Sequence, residues 1–175
     1  MNVPTNRNPR YNTTINPRYN TLINPKYNTL INPKYNTLIN PRYNTLINPK
    51  YNTLLDPKYN TLLNPKYNTL LNPKYNYQIN PKYNYQINPN INISFVGNYL
   101  YDLDLNLREF MISVNEKIIQ IFDFTLTNTK YGILHDKNGY CLFDYADNFI
   151  GHFENDSQDG YNEFDIENNW ISFIK

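Results

Sequence analysis

Apolar side chains recur at every eighth position in the first half of the chain. From residue 8 the sequence reads NPRYNTTI, NPRYNTLI, NPKYNTLI and onward through ten copies without insertion or deletion, each ending in Ile or Leu. An eleventh copy, residues 88–95, has lost the Lys and the Tyr. One octapeptide cannot bury its own apolar side chains, whereas stacked copies can do so together, as in other repeat proteins.

The Asn-Pro pair that opens nine of the ten copies, like the Asp56-Pro57 pair that opens the other, predicts a turn. Proline fixes φ, and Asn or Asp accepts a hydrogen bond from a backbone N–H two or three residues further on. The same pair suits a helix N-cap followed by proline at the first helical position. Because Tyr, Thr and Ile favour strands, we expect a turn plus a short strand, stacked into a β-solenoid with two or three octapeptides per coil. Short helical turns are the alternative, and a semi-rigid extended spacer is the third possibility.

The second half of the chain has a period of 21 residues. An aromatic residue followed by Asp recurs at this interval, in Tyr101-Asp102, Phe122-Asp123, Phe143-Asp144 and Phe164-Asp165. Asn138-Gly139 and Asp159-Gly160 are dipeptides of tight turns, and the apolar alternation in 149–153 and 170–174 is typical of strands. Each unit therefore predicts two short strands. About eight strands would form an all-β domain over residues 96–175, closed by fourfold radial packing of hairpins.

These hairpin units carry a resemblance to known families. With their aromatic-Asp strands and the stretch FIGHFE at 149–154, they resemble the bacterial four-fold β-flower domain. The segment KYGILHDKNGY at 130–140 resembles one unit of the WG repeat family, without the tryptophan that names that family. The resemblance covers residues 98–175 and implies a β-rich fold without an established catalytic role. The octapeptide array, residues 8–95, resembles no family of settled function.

Charge divides where the repeats change. Residues 1–90 hold eleven Lys and Arg and one acid, Asp56, for a formal charge of +10, whereas residues 91–175 hold five basic residues and fourteen acids, for −9. All twelve Pro lie at or before Pro89, and all five Gly lie at or after Gly97. The split predicts two domains, 8–95 and 96–175. It also predicts an interaction with a charged partner or between the two halves themselves.

Cysteine usage and hydropathy bear on location. Cys141 is the one cysteine, so an intrachain disulfide is excluded and a reducing compartment is favoured. The N-terminal residues lack the apolar core of a signal peptide, and no apolar run is long enough to span a membrane. We therefore expect a cytoplasmic protein.

Candidate catalytic groups are few. A nucleophile and a base could come from Cys141, His135, His152 and Asp136 or Asp144. Nothing in their spacing requires such a site, and Cys141 occupies a strand position that Asn162 occupies in the next unit, which indicates a structural residue. The sequence has no zinc motif and no Gly-rich phosphate loop. We expect no enzyme and no cofactor.

Four acidic residues recur once in each 21-residue unit, namely Asp102, Asp123, Asp144 and Asp165. In a fourfold assembly they could ring a common axis and bind a cation. An Asp directly before a turn more often accepts backbone N–H bonds, so we expect turn-forming residues rather than a metal site.

A basic residue stands third in each of the ten copies, always before Tyr. These residues are Arg10, Arg18, Lys26, Lys34, Arg42, Lys50, Lys58, Lys66, Lys74 and Lys82. Stacked copies would place them in columns, and a polyanion such as nucleic acid or an acidic glycan would relieve their repulsion, with stacking on outward tyrosines. The same cations could equally serve to keep a repetitive surface soluble and to prevent edge pairing.

The patterns together favour a non-enzymatic structural or binding protein, in which a rigid basic repeat array presents a small acidic β domain. A protein partner or self-association is expected, because stacked copies with open ends can join end to end. Two other functions stay open. One is a toxin or immunity-type module carried on a repeat stalk, and the other is a polyanion-binding or self-assembling repeat protein.

Overall fold

The computed structural model describes residues 3–136 and 139–175. Its second half is all-β, as predicted, and forms a closed antiparallel barrel in which each strand pairs with the next and the last pairs with the first. The strands are β1 (Asn98–Asp102), β2 (Leu107–Ser113), β3 (Ile118–Asp123), β4 (Asn128–Asp136), β5 (Gly139–Phe143), β6 (Phe149–Asn155), β7 (Tyr161–Asp165) and β8 (Trp170–Ile174). The predicted turn at Asn138-Gly139 lies partly outside the described residues.

Four hairpin loops at one end of the barrel are built around the repeated Asp. In the β5–β6 loop, the Asp144 Oδ1 accepts the backbone N–H groups of Ala146 and Asn148 at 2.8 and 2.9 Å. Asp102, Asp123 and Asp165 make the same pair of bonds in their own loops. The third loop residue takes a positive φ in all four cases, namely Leu105 (64°), Leu126 (64°), Asp147 (62°) and Asn168 (62°). The loops therefore keep the 21-residue period of the sequence.

The array has no β-strand among its described residues, so the predicted β-solenoid is wrong. Its backbone is a succession of turns and three-residue 3-10 helices, which matches the alternative of short helical turns. The 3-10 helices are Thr5–Arg7, Thr29–Ile31, Thr37–Ile39, Thr69–Leu71, Tyr77–Ile79 and Tyr85–Ile87.

A second Asn in each octapeptide, at the fifth position, explains the error. The Oδ1 of Asn16, a first-position Asn, accepts the N–H of Arg18 at 2.9 Å, and that of Asn28, a fifth-position Asn, accepts the N–H of Leu30 at 3.1 Å. The chain therefore turns at every fourth residue, which leaves no segment long enough for a paired strand.

Side-chain amides link neighbouring octapeptides in place of a strand ladder. Asn16 Nδ2 donates to the carbonyl of Pro9, seven residues earlier, at 2.7 Å. Asn28 Nδ2 donates to the carbonyl of Leu22, six residues earlier, at 2.6 Å. Each Asn thus acts as donor and acceptor at once, and this satisfies backbone groups that turns leave unpaired.

The array encircles the barrel. Barrel side chains reach array carbonyls at regular steps: Asn162 Nδ2 to Ile23 at 3.1 Å, Cys141 Sγ to Ile47 at 3.2 Å and Gln120 Nε2 to Leu71 at 2.7 Å. At the fourth step the rings of Tyr99 and Phe95 lie 5.3 Å apart. Contacts step by 21 residues in the barrel and by 24 in the array, so three octapeptides accompany each hairpin. We call one hairpin with its three octapeptides a quarter.

Arg7 closes the ring. Its Nη1 donates to the Phe95 carbonyl at 2.7 Å, its Nη2 donates to the Gly97 carbonyl, and its own carbonyl accepts the Tyr101 hydroxyl at 2.9 Å. The guanidinium also lies 4.7 Å from the centre of the Tyr99 ring. The beginning of the array is thereby fixed to its end.

The two faces of each barrel strand pack against different parts of the chain. One set of alternate strand residues, which includes Leu100, Met111 and Phe153, packs together without any array residue and fills the barrel interior. The other set faces outward and packs against the array, in one cluster with Ile79 and Phe95 and in another with Leu55 and Leu71. The boundary at residues 95 and 96 therefore separates two kinds of local structure that share hydrophobic clusters.

Candidate functional site

Cys141 lies buried between the barrel and the array. Its thiol is 3.2 Å from the Ile47 carbonyl, in the place where Asn162 and Gln120 donate amide hydrogen bonds in their own quarters. Burial, reinforced by Glu154 and Asp136, raises the thiol pKa well above its ordinary value. The group is held as a neutral thiol away from solvent, which suits a structural contact and not a nucleophile.

His152 takes the place of an aromatic side chain. Residues 21 positions apart in the other units are Phe110, Tyr131 and Phe173, and each stacks on an aromatic neighbour. The His152 ring stacks in the same way on Phe164, with ring centres 5.4 Å apart and planes inclined by 23°. Burial lowers the His152 pKa to about 3, so the imidazole is neutral at pH 7.

A second histidine, His135, lies against Glu154, with 3.2 Å between Nε2 and Oε1. Burial raises the Glu154 pKa to about 7. Burial opposes the charge on His135, but the neighbouring Asp136 and Glu154 carboxylates outweigh it and raise the His135 pKa to about 9. Both side chains are shut off from solvent, so the pair can hold a proton but cannot reach a substrate.

The repeated Asp residues do not meet. Each one closes its own hairpin loop, and in Asp144 the bonds from the Asn148 and Ala146 amides outweigh partial burial and lower the pKa of the carboxyl. Within residues 3–136 and 139–175, no group of three or more His, Cys, Asp or Glu side chains is arranged to hold a metal ion.

The predicted polyanion-binding residues spread around the ring. Five bond to hairpin loops: Arg10 to the Leu105 carbonyl and Asn106, Arg18 to the Leu103 carbonyl and Asp104, Lys34 to Asn169, Arg42 to the Ile166 carbonyl and Lys58 to Asn148. Lys50, Lys66 and Lys74 lie 5.6–6.0 Å from the rings of the tyrosines that follow them. Of the two interactions that the charge split predicted, the one between the two halves of the chain is therefore present.

The outer surface of the ring exposes the largest apolar side chains of the array. The tyrosines at the fourth position, from Tyr11 to Tyr83, are 59–73% exposed, and the leucines at the seventh position, from Leu22 to Leu70, are 60–75% exposed. We call these two rows the belt. The inner surface includes the prolines, all buried from Pro9 to Pro89, together with Ile and Leu at the eighth position, such as Leu55, Leu71 and Ile79. The eight-residue period alone does not decide which of the repeated Tyr, Leu and Ile side chains face outward.

Clefts between the array and the hairpin loops were not foreseen from the sequence. One of about 460 Å³ is lined by Lys74, Lys82, Tyr83, Phe122, Leu126, Thr127, Asn128 and Tyr145, among others. Another of about 500 Å³ has equivalent lining one quarter away, including Arg10, Tyr11, Tyr101, Leu105, Asn106 and Leu107. The equivalence becomes visible only when the 24-residue and 21-residue periods are set side by side.

No protein-family model, no curated protein and no solved structure matches this chain. The resemblance to the β-flower domain and to the WG repeat therefore stays a prediction. Among the residues described, no helix is both long enough and apolar enough to cross a membrane.

Proposed function

We propose that this chain is a non-enzymatic structural protein that assembles with further copies of itself through the belt. The barrel acts as the scaffold, and the array is the surface that it displays. This reverses the arrangement expected from the sequence, in which the array presents the barrel.

The observation that carries the proposal is the exposed area of the belt. An aromatic side chain has about 150–250 Å² of surface, so ten tyrosines with about two-thirds exposed offer on the order of 1,000–1,700 Å². The largest apolar patch on a typical monomer is about 300–600 Å², and a stable interface needs about 800 Å² from each partner. The belt as a whole therefore exposes more area than a second copy needs.

Charge and periodicity favour a second copy over an acidic partner. Five of the ten array cations already bond to the hairpin loops of the same chain, so fewer remain to attract a polyanion. The belt repeats the same Tyr and Leu every eight residues, and two belts therefore present matching registers to each other. A cytoplasmic location belongs to this proposal, because Cys141 is a buried free thiol.

Sedimentation velocity tests the proposal. Since a standard interface gives dissociation constants from micromolar downward, the wild type should associate as its concentration rises from about 1 to 100 µM. Leu30, Leu38, Leu46 and Leu54 are changed together to Asn, and the expected result is weaker association than the wild type shows, with unchanged thermal melting.

The matched control changes four threonines to Ser. These threonines lie beside the four leucines in sequence and are also exposed, namely Thr29, Thr37, Thr45 and Thr53. This control should associate as the wild type does. A wild type that stays monomeric throughout, or a Leu variant that associates equally, would remove self-assembly.

A further inference from the structure

One quarter of the ring departs from the fourfold pattern at several places at once. It contains the β3–β4 hairpin, whose loop runs Asp-Phe-Thr-Leu-Thr, whereas the other three loops end in Asn at the last of these positions. Those asparagines, Asn106, Asn148 and Asn169, each accept a hydrogen bond from an array cation.

Lys82 is the equivalent cation in the departing quarter. Here Thr127 replaces Asn, and its hydroxyl lies 3.0 Å from the Thr125 hydroxyl. Within the described residues the Lys82 ammonium makes no hydrogen bond and is attracted only through space by Asp123. Its charge remains available at the cleft.

Asn128 is the second departure. The equivalent residues at the start of β2, β6 and β8 are Leu107, Phe149 and Trp170, all apolar. Asn128 Nδ2 donates to the Ile121 carbonyl at 2.8 Å, but its Oδ1 is buried without a hydrogen-bond partner. A buried amide oxygen without a donor is costly, and Asn128 is one of the residues that line the 460 Å³ cleft.

The array departs from its own pattern at the same place. The copies that begin at Asn72 and Asn80 carry Tyr-Gln where earlier copies carry Thr-Leu or Thr-Thr. The Tyr77 ring packs on Tyr83, with centres 4.8 Å apart, and Tyr83 lines the cleft together with Tyr145. Changes in two unrelated repeats thus converge on one cavity.

From this convergence we infer that the cleft binds an anionic sugar, a hydroxylated ring that carries one carboxylate or phosphate group. Lys74 and Lys82 supply the positive charge, Asn128 supplies an amide in the lining, and Tyr83 and Tyr145 supply ring faces. The volume lies in the range of small-molecule pockets, roughly 300–1,000 Å³. This inference is independent of self-assembly through the belt.

The cleft in the adjacent quarter serves as an internal comparison. It has a similar volume of about 500 Å³, but its cation, Arg10, is bonded to the Leu105 carbonyl and to Asn106 at 3.0 and 2.7 Å. Leu107 takes the place of Asn128. That cleft lacks both a free charge and the amide at this position, and we expect it to bind no such ligand.

NMR titration of the full chain tests the inference, with the Thr127 and Lys82 amides as reporters. Glucuronate and glucose 6-phosphate are the two anionic probes, while glucose and inorganic phosphate lack the charge and the ring respectively. At least one anionic sugar should bind with a dissociation constant of about 1 mM or below. Glucose and inorganic phosphate should each bind at least about tenfold more weakly.

Three substitutions address the named groups. Lys82→Met removes the charge, Asn128→Leu restores the apolar residue of the β1–β2 hairpin, and Thr127→Asn restores the acceptor that engages the cation elsewhere. Each should weaken binding by about tenfold or more, whereas Lys58→Met, the equivalent change one quarter away, should leave it unaltered. Thermal melting verifies that each variant is folded.

Several results would overturn the inference. These are the absence of saturable shifts with either anionic sugar, equal affinity for inorganic phosphate or for glucose, and affinity that Lys82→Met and Asn128→Leu leave unchanged. If only one of the two anionic sugars binds, the inference holds and the anionic group is identified.

Discussion

The guanidinium of Arg7 donates a hydrogen bond to the carbonyl oxygen of Phe95 at 2.7 Å, across 88 positions of sequence. The bond joins the residue directly before the array to the last residue of the array. It is made in a partly buried site where the guanidinium also lies on the Tyr99 ring.

Removal of this closure should lower stability. Arg7→Met loses the bonds to the Phe95 and Gly97 carbonyls, and hydrogen bonds from a charged donor contribute about 1.5–3 kcal/mol each. We expect the free energy of unfolding in urea to fall by about 2–4 kcal/mol. Arg18→Met removes an exposed ion pair with Asp104 and should cost less than about 1 kcal/mol. Equal losses for the two variants would show that the closure has no special role.

Asp56 marks a missing link in the array. At equivalent positions Asn72 donates from Nδ2 to the Pro65 carbonyl at 2.9 Å, but the Asp56 carboxylate has no N–H to give to Pro49. Asp56→Asn should therefore raise the free energy of unfolding by about 0.5–1.5 kcal/mol. The reverse change, Asn72→Asp, should lower it by a similar amount. Chemical denaturation of both variants measures the free energy of unfolding. If neither substitution changes it, the role assigned to the side-chain amide is contradicted.

His152 should make the fold sensitive to acid. Its pKa is about 3 in the folded chain and 6.5 in the unfolded chain, so the unfolded chain takes up a proton first as the pH falls. Stability is thus lost from about pH 6.5 downward, and at pH 5 the loss reaches about 2 kcal/mol.

His152→Phe gives this quarter the phenyl ring that Phe110 and Phe173 supply at the equivalent positions, and it removes the titrating imidazole. The difference in unfolding free energy between variant and wild type should grow in favour of the variant between pH 7 and pH 5. Contributions of groups that do not interact with His152 cancel in this difference. A difference that is constant over that range would be inconsistent with a buried neutral imidazole.

Deletion of one octapeptide should be harmful, although simple stacking would tolerate it. Removal of residues 40–47 shifts every later copy by one octapeptide relative to the hairpins, and each hairpin is matched to three octapeptides. Hydrogen bonds such as the one from Asn64 to Asp147 are therefore lost. We expect a large fall in the thermal midpoint or a loss of cooperative melting. Arg42→Lys, which keeps the length and reproduces the neighbouring copy, should melt close to the wild type. A deletion variant as stable as this control would mean that the two periods are not coupled.

The barrel was predictable because its signals are local. The aromatic-Asp pairs, the turn dipeptide Asp159-Gly160 and the apolar alternation in 149–153 each specify a hairpin element within a few residues. The local structure of the array was predicted wrongly, because the strand propensities of Tyr, Thr and Ile were given more weight than the second Asn of each copy. With two Asn in every octapeptide, the chain turns at every fourth residue.

The candidate cleft was also beyond reach of the sequence alone. When each repeat is inspected separately, Thr127, Asn128 and Tyr77 look like unrelated departures from the repeat sequence. Their meaning depends on which octapeptide lies beside which hairpin, and that pairing is set by long-range contacts such as Gln120 to Leu71. The turn-forming role of the four Asp residues, in contrast, followed from local chemistry and is confirmed.

Because the array surrounds the barrel and precedes it in the sequence, the array is translated before the strands that it packs against. The array leaves the ribosome before any strand of the barrel exists, so the inner row of Ile, Leu and Pro has nothing to pack against for the whole of its translation. β1 finds its second neighbour only when β8 has emerged, and until then the nascent array exposes its future inner surface together with the belt. Such exposure favours contact with other chains until the last strand of the barrel has been made.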